Sequence, residues 1–228
     1  MSIPQHIGII MDGNRRFSRR LMLEPWKGHE YGAKKLQDVL DWCRETDIRT
    51  LTVYAFSYEN FNRPKKEFEY LMKLFKQEIT ALLKRTDELQ KQGLRIRIAG
   101  RPEQFSKELQ ELLEQVQEAT CKNGPYTLNM CLAYSGRVEL LDAFRRMKEE
   151  NIDADEITEE TIKKYLYISD DPEIIIRTGG ERRLSNFLIY QSAYAELFFV
   201  DKLWPEFSRE DFDAVLEEYK QRDRRFGK

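Results

Sequence analysis

Short β-branched runs alternate along this chain with much longer charged segments, and this alternation restricts the fold more than any other feature. The runs with the length and composition of strands are 6–11, Thr50 to Ala55, Leu94 to Ala99, Tyr126 to Ala133, Glu173 to Ile176 and Glu196 to Val200. Helices are predicted near 29–46, 65–92, 103–121, 136–150, 158–166 and 208–225. Strands that alternate with helices form a mostly parallel sheet with helices packed on it. We therefore predict an α/β fold with a central six-stranded sheet.

Composition limits the class of protein further. The 228 residues suit one domain with a sizeable core, and no linker-like stretch divides them, so a single domain spanning 1–228 is expected. With 38 basic and 40 acidic residues the net charge is −2, which argues against a nucleic-acid partner. Cys43, Cys121 and Cys131 form no CxxC pair, which argues against a disulfide scaffold or a zinc site. With no signal-peptide pattern and no segment long enough to span a membrane, we expect a soluble, cytoplasmic protein.

A first candidate anion-binding loop follows the strand at 6–11. Asp12 comes directly after the strand, and a carboxylate there can hold Mg²⁺ against a diphosphate. Asn14 can donate to a phosphate oxygen, and Arg15, Arg16, Arg19 and Arg20 follow at the expected start of a helix. The alternative interpretation is a simple Asp-Gly-Asn turn followed by a solvated basic face.

A second candidate loop, 177–186, follows the strand that ends at Ile176. Arg177 and Arg183 have the planar fork that suits diphosphate oxygens. Gly179 and Gly180 permit a close backbone approach, and Ser185 adds a hydroxyl group. Because ligands of open α/β sheets bind where strands end, the two loops together predict a ligand, or two ligands, with more than one phosphate.

A third stretch, 55–64, mixes aromatic and polar residues after a strand, and its alternative interpretation is a loop that caps the next helix. Of the two histidines, His6 lies within a strand and is expected to be structural, whereas His29 can face the same edge of the sheet. The phosphate loop GxxxxGK[ST] and the fingerprint GxGxxG are both absent. The helix expected at 65–92 is amphipathic and rich in Phe, Leu and Met. A substrate with a diphosphate head and an apolar tail would fit these features.

These residues resemble the cis-prenyltransferase family, the undecaprenyl diphosphate synthases and their archaeal and eukaryotic relatives. The resemblance covers nearly the whole chain, and the pair Pro25-Trp26 is closest in style to the archaeal members. The segments that carry it are 6–16, Gly28-His29, 54–57, 59–64, 177–181, 183–187, 193–197, Leu203-Trp204-Pro205 and 224–227.

The resemblance implies a reaction and an assembly. It implies a Mg²⁺-dependent homodimer with an apolar tunnel between the sheet and the helices. Isopentenyl diphosphate would be condensed successively onto an allylic primer, farnesyl or geranylgeranyl diphosphate. The product would be a long-chain cis-polyprenyl diphosphate, the precursor of a glycosyl carrier lipid. Because such a product must leave into lipid, peripheral contact with a membrane is also expected.

The resemblance also implies roles for individual residues. Asp12 and Asn60 match catalytic positions, and Asp12 and Glu196 match positions linked to Mg²⁺. The positions that match substrate-binding residues are Gly13, Asn14, Arg15, Arg16, Phe17, His29, Ser57, Phe61, Arg63, Arg177, Arg183 and Ser185. The first loop matches the allylic diphosphate site and the second the isopentenyl diphosphate site. Arg225 and Gly227 match residues that complete the site of the partner subunit.

One departure from the family pattern and two other functions stay open at this point. Pro25 stands where many bacterial members have a diphosphate-binding arginine, and Arg15, Arg20 and Lys27 are candidates to replace it. A non-catalytic partner subunit of the family is disfavoured because both arginine-rich loops are present. A generic phosphate- or nucleotide-binding α/β protein is disfavoured by the missing fingerprints.

Overall fold

A computed structural model describes residues 3–222 and contains the predicted parallel sheet. Its strands are β1 His6–Ile10, β2 Thr50–Ser57, β3 Leu94–Gly100, β4 Tyr126–Tyr134, β5 Ile174–Arg177 and β6 Glu196–Phe199. All neighbouring strands pair in parallel, in the order β3-β4-β2-β1-β5-β6. The α/β class and the six strands are thus confirmed, with each boundary within two residues of its prediction.

Helices connect the strands on both faces of the sheet. They are α1 Asn14–Arg20, α2 Gly28–Glu45, α3 Lys65–Leu83, α4 Thr86–Lys91, α5 Lys107–Thr120, α6 Gly136–Glu149, α7 Glu159–Tyr165 and α8 Arg209–Gln221. Short 3₁₀ turns lie at Pro25–Lys27, Tyr58–Asn62, Pro102–Gln104, Ala154–Glu156 and Trp204–Glu206. Within residues 3–222, no helix has both the length and the apolar composition that crossing a membrane requires.

The single long helix predicted over 65–92 is wrong in one respect, because the chain breaks it into α3 and α4. Arg85 leaves the helical conformation, with φ −116° and ψ 22°, between the two helices. The break turns α4 toward β3, and Leu89 on α4 becomes 3% exposed. The apolar periodicity continues across the break, and for this reason the pattern alone predicts one helix.

The core lies on the two faces of the sheet. Ile7 and Ile9 of β1 are fully buried and pack with α2, α3, α5 and α8 in the larger hydrophobic cluster. Ile10 and Ile175 point to the other face, where they pack with Phe187 and Leu188. Strands buried on both faces carry continuous apolar runs, as these do. Burial of each such side chain contributes about 1.5–3 kcal/mol, which holds the edge of the sheet rigidly in place.

A short chain of buried polar side chains crosses the centre of the sheet. The hydroxyl of Thr52 accepts from the amide of Asn129 at 2.9 Å and contacts His6 Nε2 at 2.7 Å. His6 is 4% exposed, and burial lowers its pKa to about 4, although Asp170 and Asp171 partly offset this effect. His6 is therefore neutral in the folded protein, consistent with the structural role expected from its place in a strand.

His6 should make the protein sensitive to acid. Its pKa is lower in the folded state than its ordinary 6.5, so the unfolded chain binds the proton more tightly between pH 6.5 and 4. The contribution of His6 to the free energy of unfolding is fully present above pH 6.5. It falls by about 1.4 kcal/mol per pH unit toward pH 4. Urea unfolding near pH 7 and about pH 5 measures this loss. His6→Gln should show a smaller difference between the two, and an unchanged difference would contradict the assignment.

Candidate active site

Three loops meet at the edge of the sheet where the central strands end. β2, β1 and β5 are neighbours, and they end at Ser57, Ile10 and Arg177. The segments that follow them carry the three motifs predicted from the sequence. In parallel sheets this edge is where ligands bind, because neighbouring loops diverge there and leave a crevice.

Asp12 lies between the first and second loops. Its carboxylate accepts from Arg177 Nη2 at 2.9 Å and from Arg16 Nη2 at 3.2 Å. Its carbonyl oxygen accepts from Thr178 Oγ1 at 2.8 Å and from the amide of Trp204 at 2.9 Å. The side chain is 31% exposed, so the carboxylate is fixed by two arginines yet remains open to a ligand.

Gly13 allows the chain to turn sharply from Asp12 into α1. Its φ is +115°, and a β-carbon there would lie 2.8 Å from Leu203. Gly28 brings the start of α2 against α1, since a β-carbon at Gly28 would lie 1.9 Å from the carbonyl oxygen of Asn14. Both positions therefore require glycine, and together they set Asn14 and His29 side by side.

Arg177 is almost completely buried and contacts both the first and the second loop. Its Nη1 donates to the carbonyl of Arg183 at 2.6 Å and to Ser185 Oγ at 2.8 Å, while Nη2 donates to Asp12. Only 5% of the side chain is exposed. The fork geometry expected for a phosphate is thus used within the protein, and Arg177 organises both loops.

The outer part of the second loop faces solvent. Arg183 is 59% exposed and pairs with Glu181. Ser185 and Asn186 have positive φ values of 49° and 68°, which are rare for residues other than glycine. Asn186 donates to Ser135 Oγ at 2.5 Å, which contributes to holding this conformation. Backbone strain that surrounding contacts maintain is typical of ligand-binding loops.

A buried carboxylate lies beneath the first loop, at the start of α3. Glu67 is 2% exposed; its Oε1 accepts from Arg63 Nη1 at 2.7 Å and lies 3.7 Å from Arg15 Nε. Arg63 Nη1 is also 3.4 Å from His29 Nε2. Burial and the guanidinium groups of Arg63 and Arg15 lower the pKa of His29 to about 3. His29 is therefore neutral at physiological pH and can accept the hydrogen bond from Arg63.

Two connected cavities open from these loops. A polar pocket of about 300 Å³ is lined by Met11, Asp12, Gly13, Asn14, Arg15, Arg16, Arg19, His29 and Arg63. A second cavity of about 200 Å³ shares Met11, Asn14, His29 and Arg63 with it. The second cavity runs between α2, α3 and the sheet, and its other lining is mostly apolar, including Ala33, Leu36, Leu40, Ala55, Leu71, Leu74, Phe75, Ile79, Leu82, Leu128 and Met130. The arginine-lined pocket thus continues directly into the apolar cavity.

This geometry agrees with comparisons of the sequence. A family profile described as "Putative undecaprenyl diphosphate synthase" matches residues 10–227. The chain is 48% identical to the tritrans,polycis-undecaprenyl-diphosphate synthase (geranylgeranyl-diphosphate specific) of Thermococcus kodakarensis, across 100% of this chain and 88% of the relative. The chain belongs to the undecaprenyl diphosphate synthase family. As a member of that family, it is an enzyme of the prenyltransferase class.

Other relatives extend the family assignment. An isoprenyl transferase of Thermus thermophilus is 44% identical across 99% of this chain and 89% of its own length. The crystal structure of lavandulyl diphosphate synthase from Lavandula x intermedia in complex with dimethylallyl diphosphate is similar with a TM-score of 0.92, at 28% identity and 99% coverage of both chains. That of a probable undecaprenyl diphosphate synthase from Campylobacter jejuni gives 0.85, at 29% identity and 100% coverage of both.

The structure separates the three candidates for the arginine missing at Pro25 of this family member. Arg15 lines the polar pocket. Arg20 is paired with Glu206 at 2.9 Å, and Lys27 is paired with Glu30 at 3.3 Å; neither lines that pocket. Arg15 is thus the candidate with direct access to a diphosphate.

The aromatic and polar residues of the third loop have different surroundings. Asn60 lines the apolar cavity, and its side-chain oxygen accepts from the amide of Ser57 at 3.2 Å. Phe61 packs edge-on against Phe56, with ring centres 5.1 Å apart.

Phe17, on α1, packs against Tyr31 and lines neither of the two cavities. The expectation that Phe17 touches substrate therefore has no support from its position in this protomer.

Glu196 does not lie beside Asp12 in the described protomer. It begins β6 opposite Ile174, three residues before the strand end where Arg177 lies, which is about 10 Å along the sheet. Its carboxylate accepts from Arg222 Nη1 at 2.6 Å. Asp12 and Glu196 are thus not ligands of one ion within a protomer, and residues 3–222 contain no cluster of three metal-binding side chains. Arg225 and Gly227 lie outside the described residues.

Glu67 is the site residue that sequence reasoning missed. It lies four residues after Arg63, but Arg63 has an extended backbone before α3 begins, so helical periodicity does not relate the two side chains. A carboxylate at that spacing from an arginine is common on exposed helices, and nothing in the sequence marks this one as buried. Only the tertiary fold brings Arg15 of α1 to the same carboxylate.

Proposed function

We propose that this single catalytic domain condenses isopentenyl diphosphate successively onto an allylic diphosphate and makes a long-chain cis-polyprenyl diphosphate, the precursor of a glycosyl carrier lipid. One observation carries the proposal: the arginine-lined pocket and the apolar cavity share Met11, Asn14, His29 and Arg63. An allylic diphosphate has its anionic head and its apolar chain joined at one carbon. Its reacting carbon would then lie at the junction of the two cavities.

The two substrates would occupy different loops. Arg15, Arg16 and Arg19 line the pocket that suits the allylic diphosphate. Arg183 and Ser185 stand on the second loop, where they suit isopentenyl diphosphate. Asn60 and Arg63 lie between the two sites, and Asn60 faces the apolar cavity, where it can orient the isopentenyl group. Neutral His29 adds no charge near the reacting carbon.

The reaction follows from this placement. The allylic C–O bond breaks with its electron pair passing to the diphosphate, the isopentenyl double bond attacks the allylic carbon, and a proton is lost to leave a new double bond. Negative charge grows on the leaving diphosphate, where the arginines of the pocket stabilise it. The apolar cavity excludes water, which would otherwise capture the allylic cation.

The site suits a magnesium ion whose ligands come from both the protein and the substrate. Mg²⁺ binds through one or two carboxylates together with substrate phosphates. Asp12 supplies a partly exposed carboxylate at the polar pocket, which suits this mode of binding. When bound, the ion would neutralise charge on the departing diphosphate. Arg16 and Arg177 hold the carboxylate of Asp12 in position for it.

The assay is incorporation of radiolabelled isopentenyl diphosphate into material that extracts into organic solvent, with Mg²⁺ and either farnesyl or geranylgeranyl diphosphate. The relative from Thermococcus kodakarensis is named as geranylgeranyl-diphosphate specific, so we expect the longer primer to be preferred. Activity of the purified protein alone would exclude a non-catalytic subunit. Absence of product with every allylic primer, or tight binding of a nucleotide by calorimetry, would contradict the proposal.

Blocking the apolar cavity should shorten the product. Leu36 lines the cavity on α2, seven residues after His29 and therefore about 10 Å further along the helix. Leu36→Trp would fill empty space there, and chain growth should stop after fewer additions. Chromatographic sizing of the products measures this effect. Leu36→Met preserves volume and should leave product length unchanged, whereas identical products from both variants would show that the chain grows elsewhere.

The expected homodimer is also part of the proposal. α6 exposes Leu141 and Phe144, which are 53% and 51% accessible, and Ile189 is 36% accessible. Leu141 and Phe144 are three residues apart and share one helical face, which favours a second copy as partner. Analytical ultracentrifugation of the full chain tests this, and a monomer at assay concentration would contradict it.

A further inference from the structure

A turn directly after α1 carries three consecutive apolar side chains into solvent. Leu21, Met22 and Leu23 are 46%, 95% and 40% exposed, and we call these residues the apolar tip. Single exposed apolar residues are common on protein surfaces, but a contiguous group marks a site of contact with an apolar partner. Tyr31, which is 40% exposed, packs against Phe17, one helical turn before the tip in the sequence.

The backbone at the tip is one that glycine usually adopts. The amide of Met22 donates to Arg19 O at 3.0 Å and that of Leu23 to Ser18 O at 2.9 Å, the hydrogen-bond pattern of a Schellman helix end. Met22 has φ +55°, in the left-handed region that strains residues with a β-carbon. The chain thus carries a long apolar side chain where the local fold favours glycine, and packing does not explain it.

Basic residues surround the tip. Residues 15–35 contain seven Lys and Arg against two Glu, although Arg15, Arg16 and Lys35 are paired with Glu67, Asp12 and Asp38 outside this range. Arg19 and Arg20 precede the tip and Lys27 follows it; the nearby acidic groups are Glu24, Glu30 and Glu206. An apolar projection within a cationic collar is complementary to an anionic bilayer, which offers phosphates at its surface and acyl chains beneath.

We propose that the apolar tip inserts into the headgroup region of an anionic membrane. A projecting tip that carries a side chain 95% exposed suits the headgroup region of a bilayer better than a folded partner. This proposal rests on the proposed function, because the polyprenyl product needs an apolar destination. Arg19 lines the polar pocket and lies two residues before the tip, so insertion would bring the pocket next to the membrane surface.

The test is sedimentation of the full chain with vesicles of phosphatidylcholine alone or mixed with phosphatidylglycerol. The protein should bind the mixed vesicles, less strongly at high salt because charges are screened. Met22→Gly removes the largest exposed side chain and should lower the partition coefficient about tenfold. Its melting temperature should equal or exceed that of the parent, since glycine suits the backbone here. Ile157→Ser, at a residue 37% exposed elsewhere, should bind normally.

Two outcomes would overturn the proposal. One is equal binding of Met22→Gly and the parent to mixed vesicles, and the other is equal binding of the parent to neutral and mixed vesicles. The vesicle assay needs no substrate, so its failure is distinct from failure of the prenyltransferase reaction. With activity established, mixed vesicles should raise turnover of the parent on long products more than that of Met22→Gly.

Discussion

Asp12→Asn is expected to lower kcat by about a thousandfold, the loss typical when a group that stabilises transition-state charge is removed. Arg177 and Arg16 donate to different oxygens of Asp12, and asparagine keeps only one of them. That oxygen can still accept from the buried Arg177, so both loops should keep their positions, whereas the contact with the more exposed Arg16 is lost. What disappears is the negative charge with which Asp12 is proposed to bind Mg²⁺ at the polar pocket. Single-turnover assays across a Mg²⁺ titration measure the change.

The matched control is Asp38→Asn, which removes a carboxylate paired with Lys35 on the exposed side of α2. Exposed pairs contribute about 0–1 kcal/mol, and this variant should keep full activity. For Asp12→Asn, the melting temperature shows whether a loss of activity comes from the missing catalytic charge or from a loss of stability. Near-normal turnover would refute the assigned role, whereas a collapse of stability would show that the carboxylate serves mainly to neutralise Arg177.

Arg177→Lys should lose both stability and activity. The guanidinium makes three hydrogen bonds, to Asp12, to Arg183 and to Ser185, and a lysine ammonium group has neither the reach nor the fork to keep them. Lysine keeps the positive charge but not these contacts, and each lost hydrogen bond of a charged group costs about 1.5–3 kcal/mol. We expect kcat/KM for isopentenyl diphosphate to fall by about a hundredfold or more, because Asp12 and Ser185 lose their fixed positions.

Arg183→Lys is the informative comparison, because it makes the same substitution in the same loop at a side chain that is 59% exposed. It should raise KM for isopentenyl diphosphate and leave the melting temperature unchanged. Urea unfolding and steady-state kinetics on both variants distinguish the residues. If Arg177→Lys is as stable as the parent and alters only KM, Arg177 binds substrate directly and does not organise the loops.

Much of the fold was predictable from the sequence because the strands are buried on both faces. Such strands carry unbroken β-branched runs, and Ile174, Ile175 and Ile176 of β5 are an example. The break between α3 and α4 was not predictable, because Leu89 keeps the apolar spacing across it. Helix α1 is only seven residues long, and too short for periodicity to define its end.

The chemistry of the candidate site was predictable from the sequence, but the contacts between its side chains were not. Its chemistry could be read from residue types at strand ends, and the structure brings Asp12, Arg15, His29 and Arg63 around one pocket. The internal use of Arg177 and the burial of Glu67 depend on tertiary packing between distant segments. A linear sequence contains no signal for whether a guanidinium faces a ligand or another loop.

The position of Arg177 has a thermodynamic consequence for the two substrates. One guanidinium joins the carboxylate at the pocket proposed for the allylic diphosphate to the hydroxyl at the site proposed for isopentenyl diphosphate. A ligand that shifts either partner changes the free energy of the other contact, so the two affinities are linked. Linkage is reciprocal: the factor by which primer alters isopentenyl affinity equals the factor by which isopentenyl diphosphate alters primer affinity. Through this one side chain, the enzyme can favour formation of the ternary complex over either binary complex, and so protect a reactive allylic ester until its acceptor is in place.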